Sequence, residues 1–128
     1  MHITPIQIRF NDIDQMGHVN NAVLMEYLDL GKDSFLSAHG LSPLKSDFTV
    51  MVVHYEVDFL AQVHYHDSIQ VSTTVESFGH KSFVMLQQVE NVETGTVCVR
   101  CRTVMAGYRR STASSAVIPD EVRQWLSR

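Results

Sequence analysis

Residues 21–39, NAVLMEYLDLGKDSFLSAH, form the one long stretch of this chain whose apolar residues recur at helical spacing. Val23, Leu24, Tyr27, Leu28, Leu30, Phe35 and Leu36 follow the repeat that lines up side chains along one flank of an α-helix. Asn20 or Asn21 can cap its start, since a short polar side chain accepts a hydrogen bond from an unpaired N–H of the first turn. Gly40, followed by Pro43, ends it. Gly31 in the middle weakens the helix a little, because glycine costs helix stability.

On either side of this segment the period is two. Residues 3–10 alternate, with Ile6, Ile8 and Phe10 on one face, Gln7 and Arg9 on the other, and Pro5 pointing to an edge or a strand start. Residues 50–59 place Met51, Val53, Tyr55, Val57 and Phe59 on one face and His54, Glu56 and Asp58 opposite. Residues 68–77 direct Ile69, Val71, Thr73 and Val75 inward, and residues 82–92 alternate Phe83, Met85, Gln87 and Val89 against Val84, Leu86, Gln88 and Glu90, so both of its faces are partly apolar. Residues 96–108 make the last strand, and the SFGHKS and ETGT segments supply hairpin turns. The tail from Pro119 to Leu126 reads as a short helix with Pro119 in its first turn. A mostly antiparallel sheet with a single substantial helix must bury its apolar face on that helix, laid against the sheet or inside its curl.

Size and charge narrow the field further. A chain of 128 residues without repeats or linkers is expected to be one domain, residues 1–128, with a core small enough to gain from self-association. The 10 basic and 14 acidic residues leave a net charge of -4, which argues against a nucleic-acid or membrane-surface binder. The N-terminal MHITPIQIRF lacks the charged and apolar regions of a signal peptide, no run is long enough to span a bilayer, and a cytoplasmic protein is the expectation. Cys98 and Cys101 form a CVRC motif, yet strand alternation puts residues three apart on opposite faces. Cys101 then shares a face with Val99 and Met105 while Cys98 sits with Arg100 and Arg102, so the pair is read as structural, neither a redox motif nor a metal grip.

The polar segment 11–23, NDIDQMGHVNNAV, carries the chemistry. Placed between a first strand and a long helix, its D-x-D-x-x-G-H-V-N-N pattern resembles that of the hotdog-fold acyl-CoA thioesterases, the 4-hydroxybenzoyl-CoA thioesterase-like branch in particular. HYEVDFLAQVHYHDSIQV and GHKSFVMLQQV extend the resemblance over nearly the whole chain. It implies an α+β hotdog fold, a curved five-stranded antiparallel sheet wrapped around one long helix. It also implies homodimers or homotetramers whose sheets pair edge to edge, with sites between subunits. By the same resemblance Asp14 matches the catalytic carboxylate, Asn21 supplies the helix-start N–H directed at the thioester oxygen, and Gly17 falls at the tight approach to the thioester. His18, Asn20 and Asn21 resemble a variant branch associated with fatty acyl-CoA.

The chemistry agrees with these assignments. Thioester hydrolysis needs an activated water or a nucleophile, and a carboxylate serves as either. It also needs stabilisation of the charge that builds on the carbonyl oxygen, which the unpaired N–H groups and positive dipole end of a helix provide. Asp12 is read as structural, a favourable charge near the helix start. His18 can orient the acyl group or water, or hold Asp14 through a hydrogen bond. Coenzyme A carries phosphates, for which Lys81 and Ser82 beside the GHKS turn and Arg109 and Arg110 at the end of the last strand are candidates, with Arg100 and Arg102 adding charge to one strand face. His64, His66 and Asp67 are too small a set for a metal site; no cofactor or metal is expected. Two other functions fit the same resemblance. A hotdog enoyl-CoA hydratase would use Asp14 and His18 as an acid–base pair, although its motif spaces them one residue further apart, and it would release no thiol. A non-catalytic acyl-CoA or acyl-carrier binding module would have no need of Asp14.

Overall fold

The computed structural model describes residues 1–41 and 46–127. Strand β1 (His2–Ile6) runs through a short 3-10 turn (Phe10–Asp12) and the polar segment into helix α1 (Asn21–Ala38). Strands β2 (Phe48–Phe59), β3 (Ile69–Phe78), β4 (Ser82–Asn91) and β5 (Val97–Arg109) follow, then the two-residue β6 (Ser114–Ser115) and helix α2 (Asp120–Leu126). Every pairing is antiparallel, in the order β1-β3-β4-β5-β2 with β6 beside β5. The curved sheet therefore has six strands rather than the expected five, folded on one long helix in the hotdog arrangement. Two residues of β6 are too few to leave an alternation in the sequence.

Helix α1 docks through Leu24, Tyr27, Leu28, Gly31, Phe35 and Leu36, a stripe of buried residues at helical spacing. Its start is capped as expected: the Asn20 side chain accepts the Ala22 N–H at 2.8 Å. At its end Gly40 takes φ +86, a left-handed conformation natural to glycine after a helix; Pro43, the other expected terminator, lies outside the described residues. Gly31 has a reason that helix propensity misses. A Cβ there would stand 2.4 Å from Val71 Cγ1 of β3, so glycine lets helix and sheet approach closely. Beside it the buried Gln87 donates from Nε2 to the Leu28 carbonyl at 2.9 Å and to Thr73 Oγ1 at 3.1 Å, tying the helix to β3 and β4.

Three strand faces differ from simple alternation. Strand β1 stops at Ile6, and Phe10 opens the 3-10 turn with three-quarters of its surface exposed. Pro5 does lie on an edge, since among the described residues β1 pairs only with β3. In β2 the register slips between Val52 and His54, and the extra residue exchanges the faces. Phe48, Val50 and Val52 pack inward before the slip, leaving Met51 and Val53 exposed, whereas Tyr55, still exposed, reaches Asp29 and Lys32 of α1 with its hydroxyl. A second slip, between Val89 and Glu90, skips Cys98 in the pairing of β4 with β5. Cys98 therefore turns into the core instead of joining Arg100, and both thiols are free, buried and pushed up by burial, Cys98 also by the nearby Asp67 charge. No helix among the described residues is long and apolar enough to cross a membrane.

Candidate active site at the start of the long helix

Residues 13–19 fold back as a hairpin. Asp14 N–H donates to the His18 carbonyl at 2.9 Å, Gly17 N–H to the Asp14 carbonyl at 3.1 Å, and Ile13 bridges Val19. Gly17 has φ +82, the position where three-residue hairpins call for glycine. A Cβ there would meet only open space, so the turn angle rather than a close approach within this chain accounts for the residue. Asp14 is exposed at the base of the turn. Its Oδ1 accepts the Met16 N–H at 2.8 Å and the His18 N–H at 3.3 Å. Among the described residues no donor reaches Oδ2, which leaves half of the carboxylate open to a ligand.

Helix α1 begins beside it. Its first turn carries no acidic residue of its own, and its positive dipole end faces the cleft. Asn20 uses its side-chain oxygen on Ala22 N–H, while the Asn21 N–H, first in the helix, has no intrahelical acceptor. Asp14, His18, Asn20 and Asn21 line a single cleft of about 600 Å³, walled by Leu24, Phe59 and Leu60 and flanked by Met16 and Gln62. The β2–β3 connection forms its far side, pinned where Val19 N–H donates to the Val63 carbonyl at 2.8 Å.

Asp12 is the other acid of the segment, and it is almost fully buried. Tyr27 donates to its Oδ2 at 2.5 Å, as does the Arg9 N–H at 2.9 Å, while the Arg9 guanidinium reaches Oδ1 at 3.1 Å. Burial alone would raise its pKa, but the Tyr27 and Arg9 hydrogen bonds outweigh it and hold the carboxyl below the ordinary value. Burial and the adjoining carboxylate push the Tyr27 hydroxyl strongly up. With Asn20 N–H donating to its carbonyl at 3.1 Å, Asp12 braces the hairpin against α1, a structural role.

The candidate phosphate ligands stand elsewhere. Ser82 pairs with Ala106, Lys81 accepts the Gly107 N–H, and Arg109 pairs with Phe48, so these residues and Arg110 gather at the opposite end of β5. The cleft lies at the end where Phe59 pairs with Val99, roughly 30 Å away along the strand at about 3.3 Å per residue. Arg109 is engaged by Asp47 at 3.2 Å, Lys81 Nζ donates to Ser115 Oγ at 3.4 Å, and Arg110 is exposed. Arg102 pairs with Glu76 at 3.0 Å. One chain thus unites Asp14, Gly17, His18, Asn20 and Asn21 and separates them from Lys81, Ser82, Arg109 and Arg110. Among the described residues no group of three or more His, Cys, Asp or Glu is arranged to hold a metal ion. Gln62 comes to the cleft and His64 to the His18 ring without any periodic signal in the sequence, because an irregular connection carries them there.

The model of the thioesterase-like superfamily matches residues 8–126. The chain belongs to that superfamily. Thioester hydrolysis is accordingly its class of activity, carried on the fold that the hotdog thioesterases share. A 1,4-dihydroxy-2-naphthoyl-CoA hydrolase of Nostoc punctiforme is 28% identical over 124 residues, covering 93% of this chain and 82% of that protein. Among solved structures, a Pseudomonas aeruginosa protein superposes with a TM-score of 0.89 at 26% identity, covering 98% of this chain and 89% of that one. A thioesterase of Thermus thermophilus, solved with coenzyme A and zinc, superposes with a TM-score of 0.85 at 25% identity, covering 98% and 97%.

Proposed function

We propose that this thioesterase hydrolyses acyl-CoA thioesters in the cleft at the start of α1. The observation that carries the reading is the shared lining of that cleft by Asp14 and by the open N-terminus of the helix. Asp14 takes the proton of an attacking water through its open Oδ2, or attacks the carbonyl carbon itself; Asn21 N–H donates to the oxygen as charge develops there. A donor of this kind is worth about 10²–10³ in rate. His18 and Asn20 border the reacting group. Coenzyme A is supported as the thiol carrier by the Nostoc punctiforme relative and by the Thermus thermophilus structure.

The phosphates then fall to the basic end of a second copy. Strand β2 is an unpaired edge of 12 residues with Met51 and Val53 exposed upon it. Two copies pairing there antiparallel about a two-fold axis set the Phe48 end of one β2 against the Phe59 end of the other. Lys81, Ser82, Arg109 and Arg110 of the second copy approach the first copy's cleft by that operation. A thiol-release screen over short, long and aromatic acyl-CoAs tests the activity. Turnover of at least one class, with free acid as the other product, is expected; binding without release, or hydration of an enoyl-CoA with the thioester intact, would overturn the reading.

A further inference from the structure

The hairpin before α1 is the centre of a small ladder. Asp14 and His18 face each other across the hairpin, and His18 in turn forms an antiparallel bridge with His64 of the β2–β3 connection. Residues opposite one another in antiparallel pairing carry their side chains on the same face, which sets Asp14, His18 and His64 in one row. The two imidazoles meet edge to face, with ring centroids 5.0 Å apart and planes at 81°. Asp67 closes the row: its Oδ2 accepts the backbone N–H of His64 at 2.8 Å and faces the ring, 3.6 Å from His64 Nδ1. His18 lines the cleft, and His64 touches it through His18.

We propose that His64 and Asp67 are positioning residues of the reaction centre, Asp67 anchoring the His64 backbone and His64 holding the His18 imidazole at the cleft beside Asp14. The proposal rests on the reading of Asp14 as the reacting carboxylate. An edge-to-face contact favours one orientation of the rings it joins, and a carboxylate anchored on the His64 backbone faces the ring from the other side. The His18 ring is thereby held in one orientation at the cleft, a service that a freely rotating surface histidine cannot give. The charged and titratable groups around His18 are Asp14 on its own hairpin, His64 and Asp67 on the connection, and the buried Cys98 of β5 next to Asp67, while α1 opens with the uncharged Asn20 and Asn21. The His64 side chain is 58% exposed, so it adds little to the core and its removal separates positioning from stability.

The test is a double-mutant cycle read by thiol release on the best acyl-CoA. H64A and D67N should lower kcat on the order of tenfold with KM unchanged, the scale of a misplaced catalytic neighbour. H18A/H64A should be no slower than H18A alone, because His64 acts only through His18. Wild-type kcat in H64A, or losses that add in the double variant, would overturn the proposal. Should H64A fail to fold, H64Q is read in the same cycle against the same two outcomes. A D14N control running at the wild-type rate would instead overturn the reading of Asp14, whatever the histidine cycle gives.

Discussion

Two aspartates two residues apart receive opposite surroundings. Asp12 is buried under three donors from Tyr27 and Arg9, whereas Asp14 is exposed and keeps one oxygen open. Tyr27→Phe removes one donor from the buried carboxylate and should cost about 1–3 kcal/mol at neutral pH. Asp12 is held below its ordinary value of 3.8, so the stability it adds is complete above that value and is lost as pH falls through the lower folded value. The gap between wild type and Tyr27→Phe should therefore be widest near neutrality and shrink in acid; denaturant titrations across pH measure it. At this scale the sequence was a fair guide. Asn20 caps for a local reason written in its neighbours and Asp12 is structural, though through Tyr27 fifteen residues on, while Gly17 serves the turn angle where a tight approach was expected. The row through His64 and Asp67 was not legible, because it depends on a pairing between segments more than forty residues apart.

Elements were legible in kind and order but not in every face. Period-two patterns located β2 to β5, and one helical repeat located α1 to within a residue at each end. The register slips in β2 and β5 were invisible, since an added residue alters parity without altering composition. Gly31 was misread for a similar reason: helix propensity concerns one element, whereas its role is contact with Val71 of another. Gly31→Ala should destabilise by about 1–3 kcal/mol despite better helix propensity, the usual result of overpacking. Adding Val71→Ala should recover part of that loss in the double variant, because the two side chains compete for one space. Thermal or chemical unfolding of the four proteins reads the coupling directly.

For the whole molecule, the separation of cleft from basic end along β5 governs the expectation. A site completed by a second copy permits complementation, which a self-contained site does not. Asp14→Asn and an Arg109→Ala/Arg110→Ala double variant, each weak alone, should regain activity when mixed and allowed to exchange subunits. Equal mixing should approach about a quarter of the wild-type rate, since half the dimers are mixed and each carries one intact site. The hotdog arrangement itself was legible because a single helix must serve an entire sheet. The reach of the candidate phosphate ligands was not, because proximity within a chain says nothing of proximity between chains.

Asp14→Asn bears most directly on the proposed chemistry. An amide oxygen at the same place can still accept the Met16 and His18 N–H groups that shape the turn, while the group that takes a proton or attacks is gone. Thiol release from the best acyl-CoA should fall by about 10² or more, the scale of a lost general base, at an unchanged Tm. Retention of wild-type release by this variant would contradict it.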